Sequence, residues 1–69
     1  MADNIILKVR MEELGITRYD LVRRLEEIGV LPSDGGHNNY VTLSYALSGK
    51  RKGKRYTDML SKCLEITNA

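Results

Sequence analysis

The sequence has no tryptophan, no phenylalanine and only one cysteine. Without the two largest aromatic side chains the core has to be aliphatic, with help from four tyrosines and three methionines. Cys63 has no partner for an internal disulfide bond, which favours a reducing compartment such as the cytoplasm. No apolar run approaches the roughly 20 residues of a membrane span, and the start of the chain lacks the features of a signal peptide. We therefore expect a cytoplasmic protein that does not contact a membrane.

The sequence also has little that points to catalysis. The single histidine, His37, lies in a loop segment rich in Gly and Asn, and no second histidine is present to complete a metal site. The Glu pairs at 12–13 and 26–27 are neighbours on helices, so their side chains point in different directions and do not form catalytic pairs. With no nucleophile–base pair and no cofactor loop, we expect no enzyme activity, no cofactor and no metal.

What the sequence does contain is an uneven distribution of charge. With 69 residues and 42% hydrophobic residues, it is expected to form a single domain over 1–69. Residues 1–49 hold five Lys and Arg against seven Asp and Glu, whereas residues 50–69 hold six against two. Five of the six residues in 50–55 are cationic. Such a run either faces something anionic or stabilises the end of a helix and keeps the protein soluble.

Helical spacing dominates the first half of the chain. A first helix is predicted over residues 5–14, N-capped by Asp3 or Asn4 and ended by Gly15. Its buried face is expected to hold Ile6, Val9 or Arg10, and Leu14. A second helix follows, which Thr17 caps with Asp20 three residues later, a variant of the capping box. The spacing predicts a buried face made of Leu21, Leu25 and Ile28, and Gly29 can end the helix.

The second half contains a loop and two more predicted helices. The segment 31–38 is rich in Pro, Gly, Ser, Asp and Asn, which predicts a loop. Residues 40–48 favour a strand by propensity at their start, but the spacing of Leu43, Ala46 and Leu47 favours a helix, N-capped by Asn39 and ended by Gly49. A last helix is predicted over residues 54–66, with an apolar stripe formed by Tyr56, Met59, Leu60 and Cys63. The expected fold class is all-α, with four to five short helices.

The order of these elements resembles the helix-turn-helix domain of the lambda-repressor and Cro-like (XRE) family. The stretches "LGITRYDLVRRL" and "YALSGKRKGKRY" carry the resemblance: Thr17 matches the helix cap, Leu21 follows four residues later, and residues 47–50 match the Leu-Ser-Gly-Lys turn. In that family the two motif helices are joined by a tight turn. Here eight residues separate Val30 from Asn39, so the motif contains an extended loop.

The resemblance implies a DNA-binding site. An α-helix fits the major groove of DNA and presents its N-terminal residues to the base edges. Residues 39–48 are the implied recognition helix, the basic turn 50–55 lies on phosphates, and Arg18 contacts phosphate from the other side. His37 is a further candidate base contact from the helix start. The implied DNA-binding residues are Arg18, Asn38, Asn39, Tyr40, Val41, Ser44, Tyr45, Lys50, Arg51, Lys52, Lys54 and Arg55.

The resemblance therefore predicts a sequence-specific transcriptional regulator, a repressor of the phage or mobile-element type, which binds double-stranded DNA as a homodimer in the bacterial cytoplasm or nucleoid. The helix 40–48 contains no Gln, Asn or Arg, the residues that make the strongest base contacts. That weakness keeps a second hypothesis open, in which the helix-turn-helix scaffold binds a protein as an inhibitor, anti-defence protein or adaptor. The loop 31–38 is either a tolerated insertion, a wing on DNA or a surface for a protein partner.

Overall fold

The computed structural model describes residues 2–68, and within them the chain forms four α-helices and no β-strand. The helices are α1 (Asp3–Leu14), α2 (Arg18–Glu27), α3 (His37–Ser48) and α4 (Lys54–Asn68). The all-α prediction with four helices is confirmed. The sequence contains no predicted membrane span, and none of the helices in residues 2–68 is long and apolar enough to cross a bilayer.

All four helices contribute to one core. Nearly all of the buried side chains are aliphatic, as the absence of Phe and Trp requires, and a buried methionine or cysteine fills the remaining space in α1 and α4. The buried hydrophobic residues are Leu7, Met11, Leu21, Val22, Leu25, Leu31, Leu43, Ala46, Leu47, Met59 and Cys63. The predicted inward residues of α3 are among them, and so are Met59 and Cys63 of the stripe predicted for α4. The other two residues of that stripe, Tyr56 and Leu60, are partly buried and pack against the core.

The predicted face of α1 is only partly correct. Ile6 and Arg10 are half-buried, but Val9 and Leu14 are exposed, and the buried residues are Leu7 and Met11. The segment 5–9 contains four apolar residues in five, so several faces of the helix are equally apolar and the neighbouring helices decide which is buried. The helix also begins earlier than predicted, at Asp3, and Ala2 is its N-cap.

The start of α2 confirms the predicted capping box. The Asp20 carboxylate accepts a hydrogen bond from the Thr17 backbone N–H at 2.9 Å, and the Thr17 hydroxyl accepts one from the Asp20 backbone N–H at 3.3 Å. The hydrogen bonds from Thr17 lower the pKa of the Asp20 carboxyl below its ordinary value, and nearby Arg23 adds to the effect. The pair fixes the first turn of α2 directly after the turn at residues 15–17.

The end of α2 differs from the prediction. The helix stops at Glu27, and Ile28, predicted to be buried, is 54% exposed. The backbone N–H groups of Val30 and Leu31 both donate to Leu25 O, at 2.9 and 3.2 Å. This reversal turns the chain back over the helix end, so that Leu31 at 2% exposure fills the core position expected for Ile28.

The starts and ends of α3 and α4 also shift. α3 begins at His37 rather than Tyr40, since Gly36, with φ of 55°, is its N-cap in place of Asn39. α4 begins at Lys54 as predicted and extends to Asn68 rather than to Ile66. Arg10 Nη1 donates to Leu64 O at 3.3 Å, which ties α1 to α4.

Candidate nucleic-acid interface

The turn after α3 is built by short-range hydrogen bonds. Ser48 Oγ donates to Tyr45 O at 2.8 Å and accepts from the Lys50 backbone N–H at 3.3 Å. Gly49 caps the helix with φ of 71°, a left-handed conformation that residues with a Cβ rarely adopt. Asn4 in α1 donates from Nδ2 to Leu47 O at 3.1 Å, so the predicted N-cap residue of α1 in fact satisfies a carbonyl at the end of α3.

The basic turn, residues 50–55, is open to solvent. All five of its cationic side chains are exposed. Lys54 Nζ lies 2.9 Å from Asp58 Oδ2, one turn further along α4. The other ion pair within residues 2–68 joins Lys62 to Glu65, also within α4. Four cations of the turn therefore have no carboxylate within salt-bridge distance in this part of the chain: Lys50, Arg51, Lys52 and Arg55.

One contact joins this turn to the outer surface of α3. The Arg51 guanidinium carbon lies 4.1 Å from the centre of the Tyr45 ring, within the range of a cation–π interaction. Tyr45 is exposed, as the sequence analysis expected. Arg51 is also exposed, and none of its guanidinium N–H groups makes a hydrogen bond within residues 2–68. The end of α3 and the basic turn thus form one surface.

The other predicted groove residues of α3 differ in their accessibility. Asn38 is exposed, and Tyr40 and Val41 are half-buried. Ser44 does not fit its predicted role, because its hydroxyl oxygen is buried and has no hydrogen-bond partner among the described residues. A hydroxyl in that position is not accessible to a base or a phosphate. The sequence could not show this, because Ser44 lies at the edge between the buried and exposed faces of the helix.

Asn39 does not fit its predicted role either. It is 3% exposed, and its Nδ2 donates to Glu26 Oε2 and to Pro32 O, both at 2.7 Å. Gly35 packs so closely against the Asn39 side chain that a Cβ at that position would overlap it. Asn39 therefore lies inside the first turn of α3 and connects that turn to α2 and to the loop, instead of facing DNA.

The loop between α2 and α3 is consequently anchored. Leu31 is buried and Pro32 accepts the hydrogen bond from Asn39, whereas Ser33 and Asp34 are exposed. Residues 37 and 38, assigned to the loop by sequence, are the first two residues of α3. Only the tip of the insertion is left as free surface.

A group of stacked rings lies where α2 and α3 begin. The Tyr19 and Tyr40 rings are stacked with centroids 4.5 Å apart and an interplanar angle of 25°. The His37 and Tyr40 rings are nearly parallel at 17°, with centroids 6.0 Å apart. Tyr19 was missed by the sequence analysis, because its partner lies 21 residues further along the chain and nothing local indicates the pairing.

Arg18 is exposed at the first residue of α2, and it lines a shallow groove whose other side includes Leu47. Leu47 lies two residues before Gly49, so the groove approaches the end of α3 from the α2 side. Lys8 of α1 lines the same groove and is exposed. That Lys8 and Arg18 line one groove depends on the tertiary fold, which the sequence does not reveal.

The remaining reactive groups offer little chemistry. Burial raises the pKa of the Cys63 thiol to about 11, so it is protonated and poorly nucleophilic at neutral pH. Within residues 2–68, no group of three or more His, Cys, Asp or Glu side chains is placed to hold a metal ion.

Comparison with known proteins gives no further assignment. No protein-family model, no curated protein and no solved structure matches the chain. The resemblance to the helix-turn-helix family therefore stays a prediction made from the sequence.

Proposed function

We propose that the chain is a sequence-specific DNA-binding regulator of the helix-turn-helix type, a transcriptional repressor that acts without catalysis. In this proposal α3 enters the major groove, and the basic turn lies on the sugar-phosphate backbone. A 12-residue helix is about 18 Å long, enough to contact several base pairs. Arg18 lies on the α2 side of the α3 C-terminus and contacts a second stretch of the DNA sugar-phosphate backbone.

The observation that supports the proposal best is the contact between Arg51 and Tyr45. It holds one unpaired cation of the basic turn against the exposed side of α3. A polyanion that approaches this cation therefore meets the helix surface as well. Charge that served only solubility would not need to be attached to the helix in this way.

The proposed base contacts come from the exposed side of α3. Asn38 is the exposed amide side chain there and can bond an adenine edge, and Val41 can contact a thymine methyl group. The Tyr45 hydroxyl can bond a base or a phosphate. Asn39 and Ser44 are left out of this set, since the first is occupied within the protein and the hydroxyl of the second is buried.

Dimerisation is part of the proposal. A domain of this size gains operator affinity when two copies bind half-sites about one helical turn apart. Sedimentation velocity of the free protein and of its complex with a selected duplex measures the stoichiometry. Two chains per duplex are expected, and one chain per duplex at saturation would contradict the dimer.

The central test measures how DNA binding depends on salt. If the four unpaired cations of the basic turn and Arg18 each neutralise one phosphate, a plot of log K against log salt has a slope of about −4.5 per bound chain. The double variant Lys50→Ala/Arg51→Ala should reduce that slope to about −2.7 and weaken binding to all duplexes alike. Fluorescence anisotropy with a labelled duplex at several salt concentrations gives both quantities.

The matched control is Lys62→Ala, which removes one exposed cation from α4, where Lys62 pairs with Glu65. It should leave the slope unchanged. If the control and the double variant behave alike, net charge and not the basic turn determines binding, and the proposal fails. A selection of bound fragments from a random duplex pool then tests sequence specificity directly.

A second candidate function is protein binding on the same scaffold. The observation that favours it is the shortage of base-reading groups, which is sharper now that Asn39 is buried within the protein. In that case duplex affinity stays in the non-specific range of about 10⁻⁴ to 10⁻⁶ M, and selection enriches no motif. A motif enriched by selection would exclude this candidate.

A further inference from the structure

We propose that the ring cluster, defined as Tyr19, Tyr40 and His37, binds unpaired bases, so that the protein also binds single-stranded nucleic acid. The proposal rests on the proposed function in one respect, because Arg18, a proposed phosphate contact of the duplex site, would also contact a phosphate of the single strand. It adds a second class of ligand that the helix-turn-helix resemblance does not imply. The ligand class is a flexible strand whose bases are free to stack.

The geometry of the cluster suits stacking. Tyr19 is 63% exposed, although it lies only 4.5 Å, centroid to centroid, from the Tyr40 ring. A ring held against another ring is fixed in orientation while its remaining surface faces solvent. Little side-chain freedom is then lost when a planar ligand stacks on it, which favours binding.

The positions of the rings are also fixed by a contact between the two helices that carry them. Tyr19 is the second residue of α2 and Tyr40 the fourth residue of α3. Asn39 is the residue before Tyr40, and its hydrogen bond to Glu26 joins these two helices. The two rings therefore belong to one rigid unit rather than to mobile loops, which is a property of preorganised sites.

The distribution of aromatic residues supports a role outside the core. The chain has only four tyrosines, one histidine and no other aromatic residue. Tyr56 packs against the core from α4. The other rings all lie on α3 or stack against it, with at least part of their surface open to solvent. Such rings can stack on any base, because every base has a π face.

Two exposed arginines beside the cluster can contact the phosphates of a strand. Arg18 is adjacent to Tyr19, and Arg23 lies one turn further along the same helix; both are exposed. Neither has a carboxylate within salt-bridge distance in residues 2–68. The carboxylates of Asp20 and Glu26 are hydrogen bonded within the protein and keep their charge, and Asp34 is exposed at the tip of the loop. Two further exposed carboxylates lie near the arginines: Glu12 lines a groove with Arg18, and Glu27 lines a pocket with Arg23. The arginines therefore act by direct contact with phosphate and not through a net positive field.

Stacking distinguishes the two ligands physically. In a duplex the faces of the bases are covered by their neighbours, so a protein ring has no base face to contact except at an end. In a single strand those faces are available, and each stacked base contributes noticeably to affinity. Loss of an exposed ring should therefore weaken single-strand binding and leave duplex binding unchanged.

The experiment compares three labelled ligands of equal length: a single strand of DNA, the matched duplex, and a single strand with abasic sites in place of bases. Anisotropy titrations give the affinities. Because the chain has no tryptophan, its intrinsic emission comes from tyrosine, and quenching on binding reports directly on stacking. We expect the intact strand to bind more tightly than the abasic strand and to quench tyrosine emission.

Two variants at one exposed position make the test specific. Tyr19→Leu removes the ring and should weaken single-strand binding by about 5-fold to 100-fold, while duplex binding changes by less than about 2-fold. Tyr19→Phe keeps the ring and should restore single-strand binding. Circular dichroism checks that both variants are folded, as expected for a side chain outside the core.

The outcomes separate this inference from the proposed function. If the abasic and intact strands bind equally, or Tyr19→Leu binds the single strand as wild type does, the inference is overturned, whatever the duplex affinity. If wild type self-associates and Tyr19→Leu does not, the cluster is a dimer contact and the inference is also overturned. Base-dependent single-strand binding without sequence-specific duplex binding would support the inference and refute the proposed regulator.

Discussion

Replacing Asn39 by alanine should destabilise the protein more than any exposed substitution in α3. The change removes two hydrogen bonds of 2.7 Å, one to the Glu26 carboxylate and one to Pro32 O. A hydrogen bond to a charged group contributes about 1.5 to 3 kcal/mol, and one to a neutral carbonyl about 1 kcal/mol. We therefore expect a loss of about 2 to 4 kcal/mol in the free energy of unfolding.

That loss is large for so short a chain. A protein of this length has a total unfolding free energy of about 3 to 10 kcal/mol. The midpoint of thermal unfolding should consequently fall by about 10 to 25 °C. Urea unfolding followed by circular dichroism gives the free-energy difference, provided that wild type and variant share one m-value.

The neighbouring residue provides the control. Asn38 is exposed, and its hydrogen bonds within residues 2–68 come from its backbone: its N–H donates to Gly35 O and its carbonyl accepts from the Thr42 hydroxyl. Asn38→Ala should change the stability by less than about 0.5 kcal/mol. A double-mutant cycle of Asn39→Ala with Glu26→Ala should give a coupling of at least about 0.5 kcal/mol. A coupling of zero, or equal effects of the substitutions at 38 and 39, would refute the proposed link between the helices.

Three further substitutions test the turns beside the candidate interface. Gly49→Ala should lower the free energy of unfolding by about 1 to 2 kcal/mol, because φ is 71° there and a Cβ would lie 2.8 Å from Asn4 Nδ2. Thermal unfolding measures this loss. Gly53→Ala, where φ is not positive, is the neutral control. Thr17→Ala should cost about 1 kcal/mol in urea unfolding at neutral pH. Since the folded-state pKa of Asp20 is lowered, its contribution is present above its ordinary pKa and is lost as the pH falls through the folded value. Asp20→Ala should therefore be less stable than wild type at neutral pH, and a gap that persists in acid would contradict the capping box.

The sequence predicted those parts of the fold in which one apolar stripe is unambiguous. In α2 and α4 the polar residues leave a single face for the core, and Leu21, Leu25, Met59 and Cys63 are buried as predicted. In α1 apolar residues surround the helix, and only packing against α3 and α4 selects Leu7. Periodicity specifies a face only where it is the one apolar face available.

The candidate site was predicted less completely, because its geometry depends on contacts between distant residues. The exposed basic turn follows from composition and from the Ser-Gly turn, both of which are local. The burial of Asn39 depends on Glu26, 13 residues earlier, and on the competing N-cap Gly36. Asparagine is a strong N-cap residue, so local rules favoured the wrong role. The stacked pair of Tyr19 and Tyr40 has no local signal at all.

Contacts between distant residues also determine how the insertion between α2 and α3 is held. A loop of this length between two motif helices would ordinarily leave their relative angle undetermined. Here three contacts hold the loop and the first turn of α3 against α2: Leu31 lies in the core, and Asn39 donates to Pro32 O and to the Glu26 carboxylate. The angle between the helices is therefore fixed without a tight turn. The same contacts start α3 at His37, one turn before the predicted start, and place the His37 and Tyr40 rings beside Tyr19. The contacts that set the angle of the proposed recognition helix therefore also position the ring cluster. Weakening them should reduce the binding of both duplex and single-stranded DNA, whereas Tyr19→Leu should reduce only single-strand binding.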